Sequence, residues 1–315
     1  MIRDRNIAED AMIDARKLAG IRESKKRYLT LSTGNRYGYL REKGVPKGTL
    51  FTDFATAYAA MTTGRNDVLN ISPDSHSQAA TNTIANSNLI FFGEHAGARL
   101  NHRSRIGHSA NFSPMFTISG SANEFHNLYW MHGRGSATNL QCLAISGDRN
   151  GFINCHIGGP MNATESAEAT YKLINITGQE NYFSKCVIGI DTITRSAANC
   201  MIETGSGSAR NVFEDCVILS ASSATSPFML SIAAGADRYS IFRRCSFINF
   251  SANWSNPLLY AVTKETTTDS FLIFEDCWLY GISDWIAAAR VAELWMSGYT
   301  NTSNVVGLAI NPAAS

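Results

Sequence analysis

Acidic side chains are the first residues to test for chemistry. Two carboxylates facing each other across a groove, about 5–9.5 Å apart, are enough to cleave a glycosidic bond. Outside the turn positions described below, the candidates are Glu124, Asp148, Glu180, Asp191, Glu203 and Asp237. In a chain built of stacked repeats, a working pair would fall one or two repeats apart in one column, and none of the six recurs in register with another. The stretch Gly189–Arg195 places Asp191 and Arg195 in one turn, where an aspartate more often caps or faces water. No aspartate cluster suggests calcium. All seven histidines lie between residues 76 and 156, and His102-Arg-Ser-Arg-Ile-Gly-His108 is the densest basic stretch of the body. It reads as a site for phosphate or an acidic sugar, or as a solvated turn. GxSxG, P-loop and HExxH patterns are absent from the sequence. The expectation is no catalytic set, no cofactor and no metal. Tyr129, Trp130, Trp254, Tyr260, Trp278, Tyr280 and Trp285 read equally as sugar-stacking faces, core or subunit interface.

The elements that would position these residues come from a repeated phrase, Phe-x-x-Cys-x-aliphatic. It occurs at Phe152/Cys155, Phe183/Cys186, Phe213/Cys216, Phe242/Cys245 and Phe274/Cys277, and a sixth copy at Phe125 has Leu128 in place of Cys. Successive phenylalanines are 27, 31, 30, 29 and 32 residues apart. That period implies a solenoid in which each copy is one coil. Phe and Cys are three apart, so strand alternation would send them to opposite faces. A two-residue corner between them returns both to the core. The second corner position reads Asn127, Asn154, Lys185, Asp215, Arg244, Asp276 and the first reads Glu214, Arg243, Glu275 over the later coils. This predicts a short asparagine ladder followed by alternating charges that register the coils. The cysteines are expected as free core thiols, because stacked parallel strands seldom offer disulfide geometry. Glycines 120, 147, 178, 205 and 235 should each end a strand, with an apolar column of Met115, Cys142, Leu173, Cys200 and Leu230 five residues before them.

Charge is unevenly spread. Residues 1–48 hold 12 Lys and Arg against 6 Asp and Glu, whereas the other 267 residues hold 15 against 20. The segment reads as a disordered tail or as an extended arm lying on an acidic partner. The second is the working expectation, with Arg3, Arg5, Arg16, Lys17, Lys25, Lys26, Arg27, Arg36 and Arg41 as the contacting residues. The net charge of +1 gives no reason to expect nucleic acid. No apolar run reaches the roughly 18 residues of a membrane helix, and the N-terminus lacks a signal-peptide core.

Residues 50–62 read as a short capping helix carrying Phe51, Phe54, Tyr58 and Met61. Asp67–Pro73 and Asn88–Leu100 follow as strand-like segments, the second broken by a Gly turn. A helix plugging the first coil before this strand–Gly–Ala–x–Leu phrase resembles the pectin-lyase-like right-handed parallel β-helix family over about residues 50–280. The resemblance implies fold far more than activity. The expected class is all-β, organised as an arm (1–48), the β-helix (49–281) and a C-terminal cap or oligomerisation segment (282–315). In that cap, Ser283-Asp284 would begin a helix over Trp285.

A β-helix with a basic arm, no leader and no evident catalytic set also resembles structural proteins of tailed bacteriophages. That resemblance implies a non-enzymatic capsid decoration protein, assembled in the host cytoplasm into the virion. It would be a homotrimer held to the major capsid protein, or another virion protein, by its arm. The alternative is a tailspike that binds or depolymerises host polysaccharide.

Overall fold

Each repeat folds as one turn of a three-sided coil. The structure, a computed structural model, describes residues 24–95, 104–251, 257–265, 270–287, 294–297, 305–306 and 309–310. In one coil, Gln141–Ile145 lies in sheet C, Gly151–Ile153 in sheet A and His156–Gly158 in sheet B, and the chain returns to C at Lys172–Ile176. Each strand pairs in parallel with its counterpart one coil on, as Leu143 with Ile174, Phe152 with Phe183 and His156 with Val187. Among the described residues sheet A has 11 strands, sheet B 8 and sheet C 7.

The corner between sheets A and B is what turns both Phe and Cys inward. Its second residue, at 127, 154, 185, 215, 244 and 276, has φ between 50° and 58°. Asn and Asp adopt this left-handed conformation most readily, while Lys185 and Arg244 adopt it at some cost. Asn154 donates to Asn127 Oδ1 at 2.8 Å, the expected short ladder. Further along, Arg244 donates to Asp215 and Glu214, each at 2.7 Å, and Arg243 bonds Glu275. Inside, seven phenyl rings from Phe91 to Phe274 stack with centroids 4.5–5.3 Å apart. This matches the strand spacing of about 4.8 Å. Beside them, each repeat thiol donates to the carbonyl of the phenylalanine one coil back. Cys155 Sγ lies 3.3 Å from Phe125 O, and the series runs through Cys277 at 3.2 Å from Phe242 O. All seven cysteines are free and buried.

A second ladder escapes the sequence reading. Two residues before Phe stand Asn123, Asn150, Asn181 and Asn211, all fully buried. Each side-chain oxygen accepts the backbone N–H of the corresponding residue one coil earlier, at 2.9–3.0 Å. These bonds satisfy amides at the bend from sheet C into sheet A, where strand pairing lapses. At the same bend Gly120, Gly147 and Gly178 are required by close approach. A Cβ there would stand 2.0–2.1 Å from a carbonyl oxygen of the preceding coil.

Three sequence expectations are corrected. The inward column of sheet C is Met115, Cys142, Leu173, Met201 and Met229. Cys200 pairs with Lys172 on the outer row and Leu230 shifts one place, because Gly205 and Gly235 are out of step with the earlier glycines. The expected arm is also part of the solenoid from residue 26. Lys26–Leu29 forms a strand of sheet A between Leu50–Phe51 and Val68–Ile71. Arg27 there donates to the buried Asp67 carboxylate at 3.0 Å, Arg36 donates to both oxygens of Glu94, and Arg41 donates to Val45 O. These three basic residues therefore serve the fold. Lys25 and Lys26 are exposed at its start, while Arg3, Arg5, Arg16 and Lys17 lie outside the described residues. Finally, Ile282–Asp284 is a strand paired with Leu258–Tyr260, not a helix cap, and Leu294–Ser297 continues sheet A beyond the expected boundary at 281. The capping helix is present as Phe54–Ala59, with Asp53 as its N-cap. Phe54 plugs the coil against Phe91 and Phe116.

Candidate functional site

The outer face of sheet C carries a polar row: Thr117, Ala144, Asn175, Glu203, Ser231 and Thr263 lie in register on successive strands. Over its later strands the face sinks into a cleft of about 380 Å³ lined by Lys172, Glu203, Ser231, Thr263 and Glu265, with Thr170, Asn199 and Phe228 on its wall. Lys172 reaches across from the neighbouring strand and forms an ion pair with Glu203, both side chains being mostly buried. Glu203 and Thr263 are two strands apart, about 10 Å at the usual spacing. Glu265 follows Thr263 by two residues and so returns to the same face.

The wall is held from below by an unusual cation. Arg195 is fully buried, and its hydrogen-bond partners are neutral groups, oxygens together with the Met229 sulfur. Nε donates to Ser220 Oγ at 2.9 Å, and Nη1 donates to Phe228 O at 2.8 Å and to Asn199 Oδ1 at 3.0 Å. Asn199 then donates to Ser166 O and Glu168 O, at 2.9 and 3.0 Å. One guanidinium thus ties together three loops that rim the cleft. Burial brings its pKa down to about 10, with Cys200 and Tyr171 opposing, so it stays charged at neutral pH. Burial pushes the Cys200 thiol up to about 12, reinforced by Glu203, which leaves it a poor nucleophile.

Of the carboxylates marked from sequence, only Glu203 lines this cleft. Glu124 pairs with His126, Asp148 caps the Gln179 amide, Glu180 lies between Arg149 and Arg210, and Asp237 pairs with Arg238. Asp191 is exposed at a bulge of sheet B and does not meet buried Arg195. Lys172 and Glu265 were missed. Glu265 is offset by two residues from the row of Glu203, so a search for strict register passes over it. Among the aromatics, Trp130 and Trp285 are core, Tyr129 stacks on His156, Trp278 and Tyr280 are exposed on sheet B, and Trp254 lies outside the described residues.

Coils of three parallel sheets around stacked inward columns define a parallel β-helix. No family model matches the sequence, and no curated protein does. Among solved structures the chain is similar to a pectin methylesterase in complex with a hexasaccharide, with TM-score 0.61 at 14% identity over 90% of this chain and 91% of that one. It is also similar to the pectin methylesterase PemA from Erwinia chrysanthemi, with TM-score 0.57 at 14% identity over 90% and 91%. The pectate lyase Pel9A follows with TM-score 0.51 at 14% identity over 94% and 82%. These are right-handed parallel β-helices, and the likeness establishes that fold for this chain.

The comparison also corrects the expectation of a non-enzymatic chain. Its structural neighbours are enzymes, two of them pectin methylesterases and one a pectate lyase. That expectation rested on finding no two of the six candidate carboxylates in register; Glu265, outside that set and two residues off the row of Glu203, lines the same cleft.

Proposed function

We propose that the chain binds a polysaccharide across the outer face of sheet C and hydrolyses it in the cleft. The observation that carries this reading is the joint lining of one open cleft by two carboxylates and a lysine. Glu203, ion-paired with Lys172, is the base that activates water or attacks the anomeric carbon, and Glu265 is the acid that protonates the leaving oxygen. Ser231 and Thr263, between them, offer hydroxyls to the sugar. The three loops tied by Arg195 hold the rim rigid, as positioning of this kind requires.

The same proposal takes the host surface polysaccharide of a bacterium as substrate and a phage tailspike-type protein as its setting, with a homotrimer attached to the virion through residues 1–23. That segment holds five Lys and Arg against five Asp and Glu, so it would meet a partner with charges of both signs. Folding of residues 26–48 into the solenoid shortens the arm on which a head-bound decoration protein would depend.

The test is release of oligosaccharides from a panel of capsular and O-antigen polysaccharides, read as new reducing ends. The expected result is release by the wild type and a loss of roughly 10²–10⁴-fold in Glu203→Gln and Glu265→Gln with binding retained. Failure of every polysaccharide to bind or yield product, or full activity of both variants, would overturn the reading.

A further inference from the structure

A second hollow, of about 180 Å³, opens on the outer face of sheet B, among strands Ser75–Gln78, Arg105–His108 and Tyr129–Met131. Two rows run across it in register: Ser75, Arg105 and Tyr129, and beside them Ser77, Gly107 and Met131. The missing side chain at Gly107 makes the depression, and a Cβ there would only just touch Met131, at 3.7 Å. Met161 closes it from the loop after Gly158.

Among the described residues, Arg105 is the one Lys or Arg lining this hollow. Its guanidinium lies over the Tyr129 ring, 5.9 Å from the centroid, and that ring stacks on His156 at 4.1 Å. His156 Nε2 in turn lies 3.1 Å from Gly189 O. The stack fixes the guanidinium in position. Yet Arg105 Nε is buried and has no hydrogen-bond partner among the described residues. Buried donors are normally paired, and a fixed guanidinium with an unused N–H matches the fork of an oxyanion. The hydroxyls of Ser75 and Ser77 border the same space and can donate to further oxygens.

We propose that this hollow is a binding site for the oxyanion group of a small ligand, a carboxylate, sulfate or phosphate, with Arg105 as its principal contact and Met131 and Met161 against the ligand's apolar part. It lies on a different sheet from the cleft and does not depend on hydrolysis there.

The methyl groups of Met131 and Met161 report on the site in an NMR titration of the full chain. The probes are glucuronate, glucose 6-sulfate and glucose 6-phosphate, with neutral glucose as the control. The expected result is a saturable shift of both methyls with at least one anionic probe and none with glucose. Affinity should fall roughly tenfold or more in Arg105→Gln, partly recover in Arg105→Lys, and stay unchanged in Glu203→Gln. The tightest probe identifies the group. A melting curve on each variant separates loss of binding from loss of fold, and Ser77→Ala, at an exposed strand position, gives a second reading if Arg105→Gln melts early. Absence of saturable shifts with all three anions, or equal shifts in the wild type, Arg105→Gln and Ser77→Ala, overturns the proposal.

Discussion

His132 is the residue at which burial and proton binding conflict most. It is fully buried, its ring edge meets His108 at 4.8 Å, and its Nδ1 lies 3.2 Å from Tyr171 Oη. Burial, with His108 adding to it, brings His132 down to about 3. Burial also lowers His108 and His76, against the opposing pull of Glu165 on the first and of Ser72 and Asp74 on the second. The folded chain therefore keeps these rings neutral where the unfolded chain would protonate them. Below about pH 6.5 the unfolded state binds more protons, so stability is complete above that pH and declines toward pH 3. For His132 alone the loss by pH 4 is on the order of a few kcal/mol. Melting temperatures recorded from pH 7 to pH 4 should fall, and His132→Asn should flatten the decline between pH 6.5 and 5. Asp67, whose carboxylate is held below its usual range, contributes only at lower pH. An identical slope in His132→Asn would place the titrating groups elsewhere.

At the scale of elements, the strand Lys26–Leu29 is the least anticipated. Its anchor is Asp67, which accepts from Arg27, from Arg65 and from the backbone amides of Lys25 and Thr62. Burial raises the Asp67 pKa, but Arg65 and the two amides, with the charge of Arg27, outweigh it. Asp67→Asn leaves Arg27 buried beside a neutral group, a loss of about 3 kcal/mol for a broken buried pair. Limited proteolysis should then cut within residues 24–50 in a fold that otherwise persists, whereas an unchanged digestion pattern would show that strand pairing alone holds the segment. This strand was illegible in the sequence because a four-residue segment ahead of the first coil carries no repeat and its basic residues resemble a solvated tail. The corner between Phe and Cys was legible because its geometric requirement recurs in every coil. The ladder of Asn123, Asn150, Asn181 and Asn211 recurs just as strictly, but asparagine is common in turns, so its inward direction became visible only with the hydrogen bonds. At the cleft, Glu203 could be named but not chosen. Lys172 and Glu265 reach it from other coils, and a loop of variable length sets the register between them.

The whole molecule behaves as a one-dimensional stack, and the phenylalanine column measures its continuity. Along the column each ring stacks on the rings above and below it, as Phe183 does on Phe152 and Phe213 at 4.5 Å. In such a stack stability is nearly a sum of coil and interface contributions, so the position of a defect matters as well as its size. Phe183→Ala empties a central rung and removes two stacking contacts, a loss of about 3–5 kcal/mol. It separates the coils that carry Lys172 and Glu203 from the coil before them. Phe91→Ala makes a hole of the same chemistry at the N-terminal end, where Phe54 from the capping helix also packs. Hydrogen exchange should therefore show lost protection spreading in both directions from Tyr182–Ser184 in the first variant. In the second it should remain confined to the strands up to Glu124–His126. Oligosaccharide release should fall in Phe183→Ala and survive in Phe91→Ala. Uniform loss of protection in both variants would mean that the β-helix unfolds as a single cooperative unit and that the nearest-neighbour description fails for this chain.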